Sequence, residues 1–176
     1  MIPKAEVLAV AAEADLLPTT VEKDYVLGWM LYAVAEHPEL RRWVFKGGTC
    51  LKKCYFDTYR FSEDLDFTIP EGEPYEQETV RAALAEAAEW IQQRAGIDFP
   101  EDGLEVRESV NRRGETTFEA RATFIGPLQP PRAARPRIRF DLTRDELIAR
   151  APEARVVFHG YSDDPGSGLE VQCYSL

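Results

Sequence analysis

The stretch FKGGTCLKKCYFDTYRFSEDLDF, from Phe45 to Phe67, places a glycine turn close to two aspartates that lie one residue apart. The segment "RWVFKGG" predicts a short strand that ends at the turn, and "TCLKKCYFD" predicts a helix directly after it. The alternating segment "DLDFTIP" predicts a second strand, which Pro70 ends. The stretch therefore predicts a strand–turn–helix–strand unit at the centre of the fold.

The segments on either side extend this unit into a mixed sheet with flanking helices. A helix is predicted over "TTVEKDYVLGWMLYAVAEHPEL", with Thr19 or Thr20 as its cap, and another over "YEQETVRAALAEAAEWIQQRAG", which Gly96 ends. "LEVRESV" and "TTFEARATFIG" predict a hairpin, and "RPRIRFDLTRDE" and "ARVVFHGY" predict further strands. The pattern indicates an α/β or α+β fold, and 176 residues suit a single domain.

The composition is that of a globular protein of the cytoplasm. No apolar run is long enough to span a membrane, and acidic residues interrupt the N-terminal apolar run, which argues against a signal peptide. The odd count of three cysteines, without a C-x-x-C pattern, argues against a disulfide framework or a zinc site. Cys50 and Cys54 are instead expected to be buried on one helix face. The net charge of −10 argues against general nucleic-acid binding, although "QPPRAARPRIRFDLTR" forms a local basic strip that can hold a polyanion.

The glycine turn has the composition of an anion-binding site. Gly47 and Gly48 allow the backbone to approach a ligand closely, and the N–H groups that begin the following helix are free to meet an anion. Thr49 adds a hydroxyl group. Lys53 lies about one helical turn further along the same face and could reach a phosphate, and Lys46, just before the glycines, is a second candidate.

The two aspartates have the composition of a metal site. On a strand, Asp64 and Asp66 point to the same face, where their like charges repel each other unless a cation lies between them. Mg²⁺ prefers one or two carboxylates together with substrate phosphates. Phosphoryl transfer with two metal ions needs a further ligand, and Asp141 on a separate predicted strand supplies it, ahead of Asp145 and Glu146.

At these motifs the chain resembles a known family. "FKGGTCLKKCY" and "RFSEDLDF" are similar to the motifs of the AbiEii/AbiGii toxin family of nucleotidyltransferases, relatives of the MenT toxins. "VEKDYVL", "RESVNRRGETTFEARATFIGPL" and "IRFDLTRDE" extend the resemblance from about Val21 to Glu146. The resemblance implies a polymerase-β-like nucleotidyltransferase core that moves an NMP from an NTP to RNA, at the 3′ end of tRNA, with Mg²⁺ or Mn²⁺. It also implies a toxin of a toxin–antitoxin or phage-defence system, restrained by an antitoxin protein.

The resemblance also carries roles onto individual residues. By this comparison the triphosphate is held by Gly47, Gly48 and Thr49, with support from Lys53. Metal is bound by Asp64 and Asp66, and Asp141 completes the acidic set. The nucleotide site is shaped by Arg60 and Ser62.

Two alternatives remain open, and the first arises because the family normally continues past the last strand with a helical part. The resemblance implies that residues 1–176 form one nucleotidyltransferase domain without that part, with residues 1–42 as an N-terminal helical segment. Such a chain could be a nucleotide-binding module that binds NTP without transferring it. Alternatively, the acidic surfaces could bind a basic partner, and the paired aspartates would then hold no metal. A glycosyltransferase with a D-x-D motif is disfavoured, because the chain lacks the larger nucleotide-sugar domain.

Overall fold

The computed structural model describes residues 1–56, 62–110, 114–144, 146–166 and 168–176. The strands in these residues are β1 (Val44–Lys46), β2 (Asp64–Thr68), β3 (Leu104–Val110), β4 (Thr116–Thr123), β5 (Arg137–Thr143), β6 (Glu153–Val156) and β7 (Glu170–Cys173). They form one seven-stranded sheet in the order β3-β4-β5-β2-β1-β7-β6. The sheet contains parallel and antiparallel pairs, which confirms the predicted mixed α+β fold.

The helices follow the predicted order, with one difference at a helix start. They are α1 (Lys4–Glu13), α2 (Pro18–Glu36), α3 (Gly47–Cys50), which continues as a π-helical turn over Leu51–Tyr55, and α4 (Gln77–Ala95). Because α2 begins at Pro18, the prediction that Thr19 or Thr20 caps it is wrong. Proline suits the first helical position, where its missing N–H has no helical partner to lose. Gly96 follows α4 with a φ of +70°, as predicted for a left-handed C-cap.

The centre of the sheet is built from strands that are far apart in sequence. β2 pairs antiparallel with β1 and parallel with β5, and β1 pairs parallel with β7 on its other side. The predicted hairpin of β3 and β4 is confirmed, and β4 also pairs with β5. β7 was not predicted, and β6 ends at Val156, earlier than the segment "ARVVFHGY" suggested.

The two faces of the sheet differ in character. Leu65 and Phe67 of β2 and Phe140 of β5 are fully buried in the same apolar cluster as α2 and α4. α2 is buried on all sides, whereas α4 buries only its alanine-rich stripe. The residues that alternate with the buried ones on β2 and β5 are partly exposed and polar. The candidate site lies on this polar face.

Candidate active site

Three aspartates lie side by side on the polar face of the sheet. Asp64 and Asp66 flank the buried Leu65 on β2, so both carboxylates point to one side, as the alternation of the sequence predicted. In the parallel pairing of β2 with β5, Asp66 lies directly opposite Asp141. The sheet therefore brings together the three carboxylates that the sequence singled out.

The electrostatics of this cluster favour the binding of a cation. Burial raises the pKa of Asp66, the charge of Asp141 raises it further, and the ammonium of Lys46 opposes both effects. Burial also raises the pKa of Asp141, against the lowering effect of the nearby Arg139 guanidinium. The cluster holds more negative charge than the neighbouring cations balance, and a divalent cation would relieve this repulsion.

The glycine turn lies against the carboxylates. Gly47 has a φ of +78°, a conformation that side chains rarely adopt, and a Cβ at this position would overlap Oδ2 of Asp66. A Cβ on Gly48 would lie 3.1 Å from Oγ of Ser62. Gly47 is therefore needed for the backbone of the turn to pass this close to Asp66, and Gly48 places Ser62 at the same turn.

Thr49 connects the turn to β2. Its side chain is buried, and its hydroxyl donates a hydrogen bond of 2.5 Å to the main-chain oxygen of Asp64. The family resemblance implied that Thr49 helps to hold the triphosphate. In the structure its hydroxyl holds the start of α3 beside the strand that carries the aspartates.

Lys46 extends from the end of β1 into the site. It lies opposite Asp66 in the sheet, and its Nζ donates to Oγ1 of Thr143 at 2.8 Å and lies 2.5 Å from Oε2 of Glu146. Glu146, which the sequence ranked below Asp141, joins the site through this ion pair. The signal for Lys46 was present in the sequence: Phe45 belongs to the core, so its neighbour must face the polar side.

Lys53 lies in the interior of the protein instead. It is 3% exposed, and its Nζ donates a hydrogen bond of 2.7 Å to Oδ2 of Asp24 on α2. Burial lowers the pKa of Lys53, and the charge of Asp24 acts in the opposite direction. The expectation of a surface lysine is therefore wrong, because the side chain lies in the interior with Asp24 as its partner. Among the lysines that the sequence singled out, the structure brings Lys46 to the carboxylates.

Two arginines face each other beside the aspartates. Arg139 lies opposite Asp64, with its Nη1 3.9 Å from Oδ2 of that residue, and Arg121 of β4 lies opposite Arg139 on the other side. Sequence reasoning did not select Arg121, although its position between the buried alanines of "EARAT" places it on the polar face. Like charges in directly opposed positions are unfavourable. Each arginine has one carboxylate at 3.9 Å, which is Glu119 for Arg121 and Asp64 for Arg139. Arg60, which the family resemblance implied, lies outside the described residues.

The remaining arginines of the basic strip have different environments. Arg132 donates a hydrogen bond of 2.6 Å to Asp102, and the guanidinium of Arg144 lies 4.5 Å from the ring centre of Tyr75. Arg137 is exposed on β5, two residues from Arg139 and on the same face. Arg137 and Arg139 of the strip, together with Arg121 of β4, therefore form the group of arginines on the polar face near the carboxylates.

A helix that begins at a glycine turn, packed beside three carboxylates on adjacent parallel strands, is the core of a nucleotidyltransferase. Residues 29–176 match the family model of the nucleotidyl transferase AbiEii toxin, described as part of a type IV toxin–antitoxin system. The chain belongs to this family, and the match includes every strand and every candidate site residue. No individual curated protein matches the chain significantly.

Membership confirms the resemblance found in the sequence and has direct consequences for function. The chain is a nucleotidyltransferase of a toxin family, which implies an NTP substrate and an antitoxin partner. Divalent metal is general in this class of enzyme, and the partly buried carboxylates of Asp66 and Asp141, opposite each other on adjacent strands, supply the oxygen ligands that a hard cation prefers. Across the described residues, no helix is both long and apolar enough to cross a membrane.

Proposed function

We propose that the chain transfers an NMP from an NTP to an RNA acceptor, the 3′ end of tRNA, in a reaction that depends on Mg²⁺ or Mn²⁺. The observation that carries this proposal is the contact between the glycine turn and the acidic cluster, where Gly47 leaves no room for a side chain beside Asp66. An anion-binding turn and a cation-binding cluster in direct contact suit a substrate that is a metal-bound triphosphate.

The metal ligands in this proposal are Asp64 and Asp66, with Asp141 beside them. A bound Mg²⁺ would neutralise charge on the triphosphate and polarise its α-phosphate. The N–H groups at Gly47 and Gly48 and the ammonium of Lys46 would bind the phosphate oxygens from the other side. The resemblance adds Arg60 and Ser62 around the nucleotide. Thr49 and Lys53 would support the turn indirectly, through their bonds to β2 and α2.

The chemical step is an in-line displacement at the α-phosphorus. The oxygen of the acceptor hydroxyl forms a bond to this phosphorus, the bond to the β-phosphate breaks, and pyrophosphate leaves. Asp141 would accept the proton of the hydroxyl, a role that suits a carboxylate whose pKa is raised by burial. Lys46 and the N–H groups of the turn would stabilise the negative charge that develops on pyrophosphate.

The acceptor would bind along the group Arg121, Arg137 and Arg139. These residues adjoin the carboxylates on the polar face, and the opposed pair of arginines is a site where an RNA phosphate relieves repulsion. The whole chain carries a net charge of −10, so this local group is where a polyanion would be attracted. In this proposal residues 1–176 act as one nucleotidyltransferase domain in the cytoplasm, and the helices of residues 1–42 support the site.

The decisive experiment supplies the protein with each labelled NTP in turn, with Mg²⁺ and total tRNA, and measures label in RNA. We expect one NTP or a subset to label tRNA, and we expect Asp66→Asn to abolish this labelling. Asp15→Asn is a matched control, because Asp15 lies in the turn after α1, outside the site, and asparagine tolerates its positive φ. NTP binding without any labelling would favour the nucleotide-binding module. The absence of NTP binding would favour the acidic interaction protein.

A further inference from the structure

Three cysteines from two distant parts of the chain meet inside the protein. Cys50 ends α3, Cys54 lies on the π-helical turn, and Cys173 lies on β7. Their Sγ atoms all lie within 4.8 Å of one another, and the residues are 3%, 4% and 0% exposed. This cluster is separate from the carboxylates of the candidate active site.

The fold explains why these cysteines converge. Cys50 and Cys54 are four residues apart on a continuous helical segment, so they share one face, as the sequence predicted. β1 leads directly into this segment, and β7 pairs with β1 so that Cys173 lies beside Phe45. The unpredicted strand β7 therefore brings the third sulfur to the two that the helix supplies.

The three thiols interact directly, and their pKa values move in opposite directions, because hydrogen bonds with Cys173 and Cys54 and burial raise the pKa of Cys50. Hydrogen bonds from Cys50 and Cys54 lower the pKa of the Cys173 thiol to about 5, and the charge of Arg155 acts in the same direction. The charge of Lys53 lowers the pKa of Cys54, although the hydrogen bond to Cys173 outweighs this effect and raises it. Simple packing of small apolar residues does not require three sulfurs from two distant parts of the chain at one point.

We propose that Cys50, Cys54 and Cys173 form a buried site for one soft metal ion of the Cu(I) type, bound by three sulfurs. Thiolate sulfur selects soft metals over hard ones such as Mg²⁺. A metal–sulfur distance of about 2.3 Å in a three-coordinate site separates the sulfurs by about 4 Å, which lies within the 4.8 Å that contains all three Sγ atoms. Among the described residues, the cluster includes no fourth His, Cys, Asp or Glu, whereas structural zinc sites have four ligands.

Binding at this site would be an exchange of protons for metal without electron transfer. Each sulfur–metal bond replaces an S–H bond, and the released protons go to solvent. The bound ion would join β7 to the helical segment that begins at the glycine turn. It would therefore stabilise the base of the active site without touching the substrate.

Cd²⁺ is a suitable probe, because it is a soft ion that does not change redox state and its bonds to thiolates absorb in the ultraviolet. The reduced protein is titrated with Cd²⁺ in the presence of excess Mg²⁺, which occupies the carboxylates. We expect the absorption to saturate at one equivalent, together with a rise in the melting temperature. Cys173→Ala should lower the affinity for Cd²⁺ at least tenfold and remove the stabilisation, and Cys54→Ala should do the same if the first variant folds poorly.

The matched control is Asp66→Asn, which changes the acidic cluster and leaves the sulfurs intact. It should bind Cd²⁺ with the affinity of the wild type, so failure of this proposal and failure of the proposed function are separable. Absorption that persists unchanged in both cysteine variants would overturn the proposal. The absence of any sulfur–Cd²⁺ absorption in the reduced wild type would also overturn it, as would a disulfide within the cluster in protein kept under reducing conditions.

Discussion

Replacement of Lys53 by alanine should destabilise the protein far more than a surface substitution would. Its Nζ lies 2.7 Å from Oδ2 of Asp24, and the hydroxyl of Tyr161 donates to the same oxygen at 2.9 Å. The two charged side chains are only 3% and 10% exposed, so Lys53→Ala leaves a carboxylate buried without its counter-charge. Breaking a buried pair in this way costs about 3–5 kcal/mol. For a chain of this length, that corresponds to a fall in melting temperature of roughly 6–20 °C.

The assay is chemical denaturation of the purified protein without nucleotide, with Lys23→Ala as the matched control. Lys23 also forms an ion pair at 2.9 Å, but its partner Glu63 is largely exposed. Such pairs contribute about 0–1 kcal/mol, so the control should remain close to the wild type. The double variant Asp24→Asn with Lys53→Met removes both charges and should recover a large part of the lost stability.

The reasoning is refuted if Lys53→Ala loses less than about 1 kcal/mol, the upper limit for an exposed pair. It is also refuted if the double variant is less stable than Lys53→Ala, because an uncompensated Asp24 would then not be the cause. NTP affinity supplies a second measurement. If the folded fraction of Lys53→Ala binds NTP as tightly as the wild type does, the lysine acts through the fold and not through the phosphates.

Three further predictions concern the active site. Asp66→Asn should stabilise the metal-free protein by about 0.2–1 kcal/mol at pH 7, because it removes repulsion among like charges, and it should abolish transfer. The pKa of Asp66 is raised above 3.8 in the folded state, so its favourable contribution is present below that pH and is lost as the pH rises through the folded pKa. The free energy of unfolding of Asp66→Asn, relative to that of the wild type, should therefore increase with pH in denaturation experiments. Gly47→Ala should cost about 1–2 kcal/mol in backbone strain, measured by the same denaturation, and should also abolish transfer. The control is Gly72→Ala: Gly72 has a φ of +88°, and an added Cβ would have no atom within 4 Å. This variant should lose stability through backbone strain without losing transfer. Replacing Arg121 and Arg139 by alanine should weaken tRNA binding and flatten its dependence on log[salt] by roughly two counterions in a binding titration.

Specific results would contradict each of these predictions. A metal-free Asp66→Asn protein that is less stable than the wild type at pH 7 would show that the carboxylate is not under repulsion. Full transfer activity in Gly47→Ala would show that the close approach of the turn to Asp66 is dispensable. For the arginines, Arg132→Ala is the control, because Arg132 is paired with the exposed Asp102. If the affinity for tRNA depends equally on log[salt] in this control and in the double variant, the acceptor binds elsewhere.

Local patterns in the sequence were sufficient for much of the site. The alternation of "DLDF" placed Asp64 and Asp66 on one face, and the glycine pair marked the turn that begins α3. These features depend only on neighbouring residues, so they can be predicted without knowledge of the fold. The pairing of Asp66 with Asp141 is different, because nothing local determines which strand lies beside β2.

The errors arose where tertiary contacts override helical spacing. Helical spacing suggested that Lys53 could reach a phosphate, but the face that carries Thr49 and Lys53 is buried, and Asp24 provides the lysine with a partner on α2. β7 was missed because "EVQC" is short and contains only two buried residues, Val171 and Cys173. A strand of this length is defined by its pairing with β1 and β6 and not by its own pattern.

The strand order also has a consequence for the way this toxin is made in the cell. β1 and β2 leave the ribosome early, but their outer neighbours in the sheet, β7 and β5, are synthesised much later. Until residues 137–143 emerge, Asp66 has no Asp141 beside it, and until residues 170–173 emerge, β1 has an unpaired edge. Chains are synthesised at about 5–20 residues per second, so each new chain spends several seconds without the strand pairing that brings Asp141 beside Asp66.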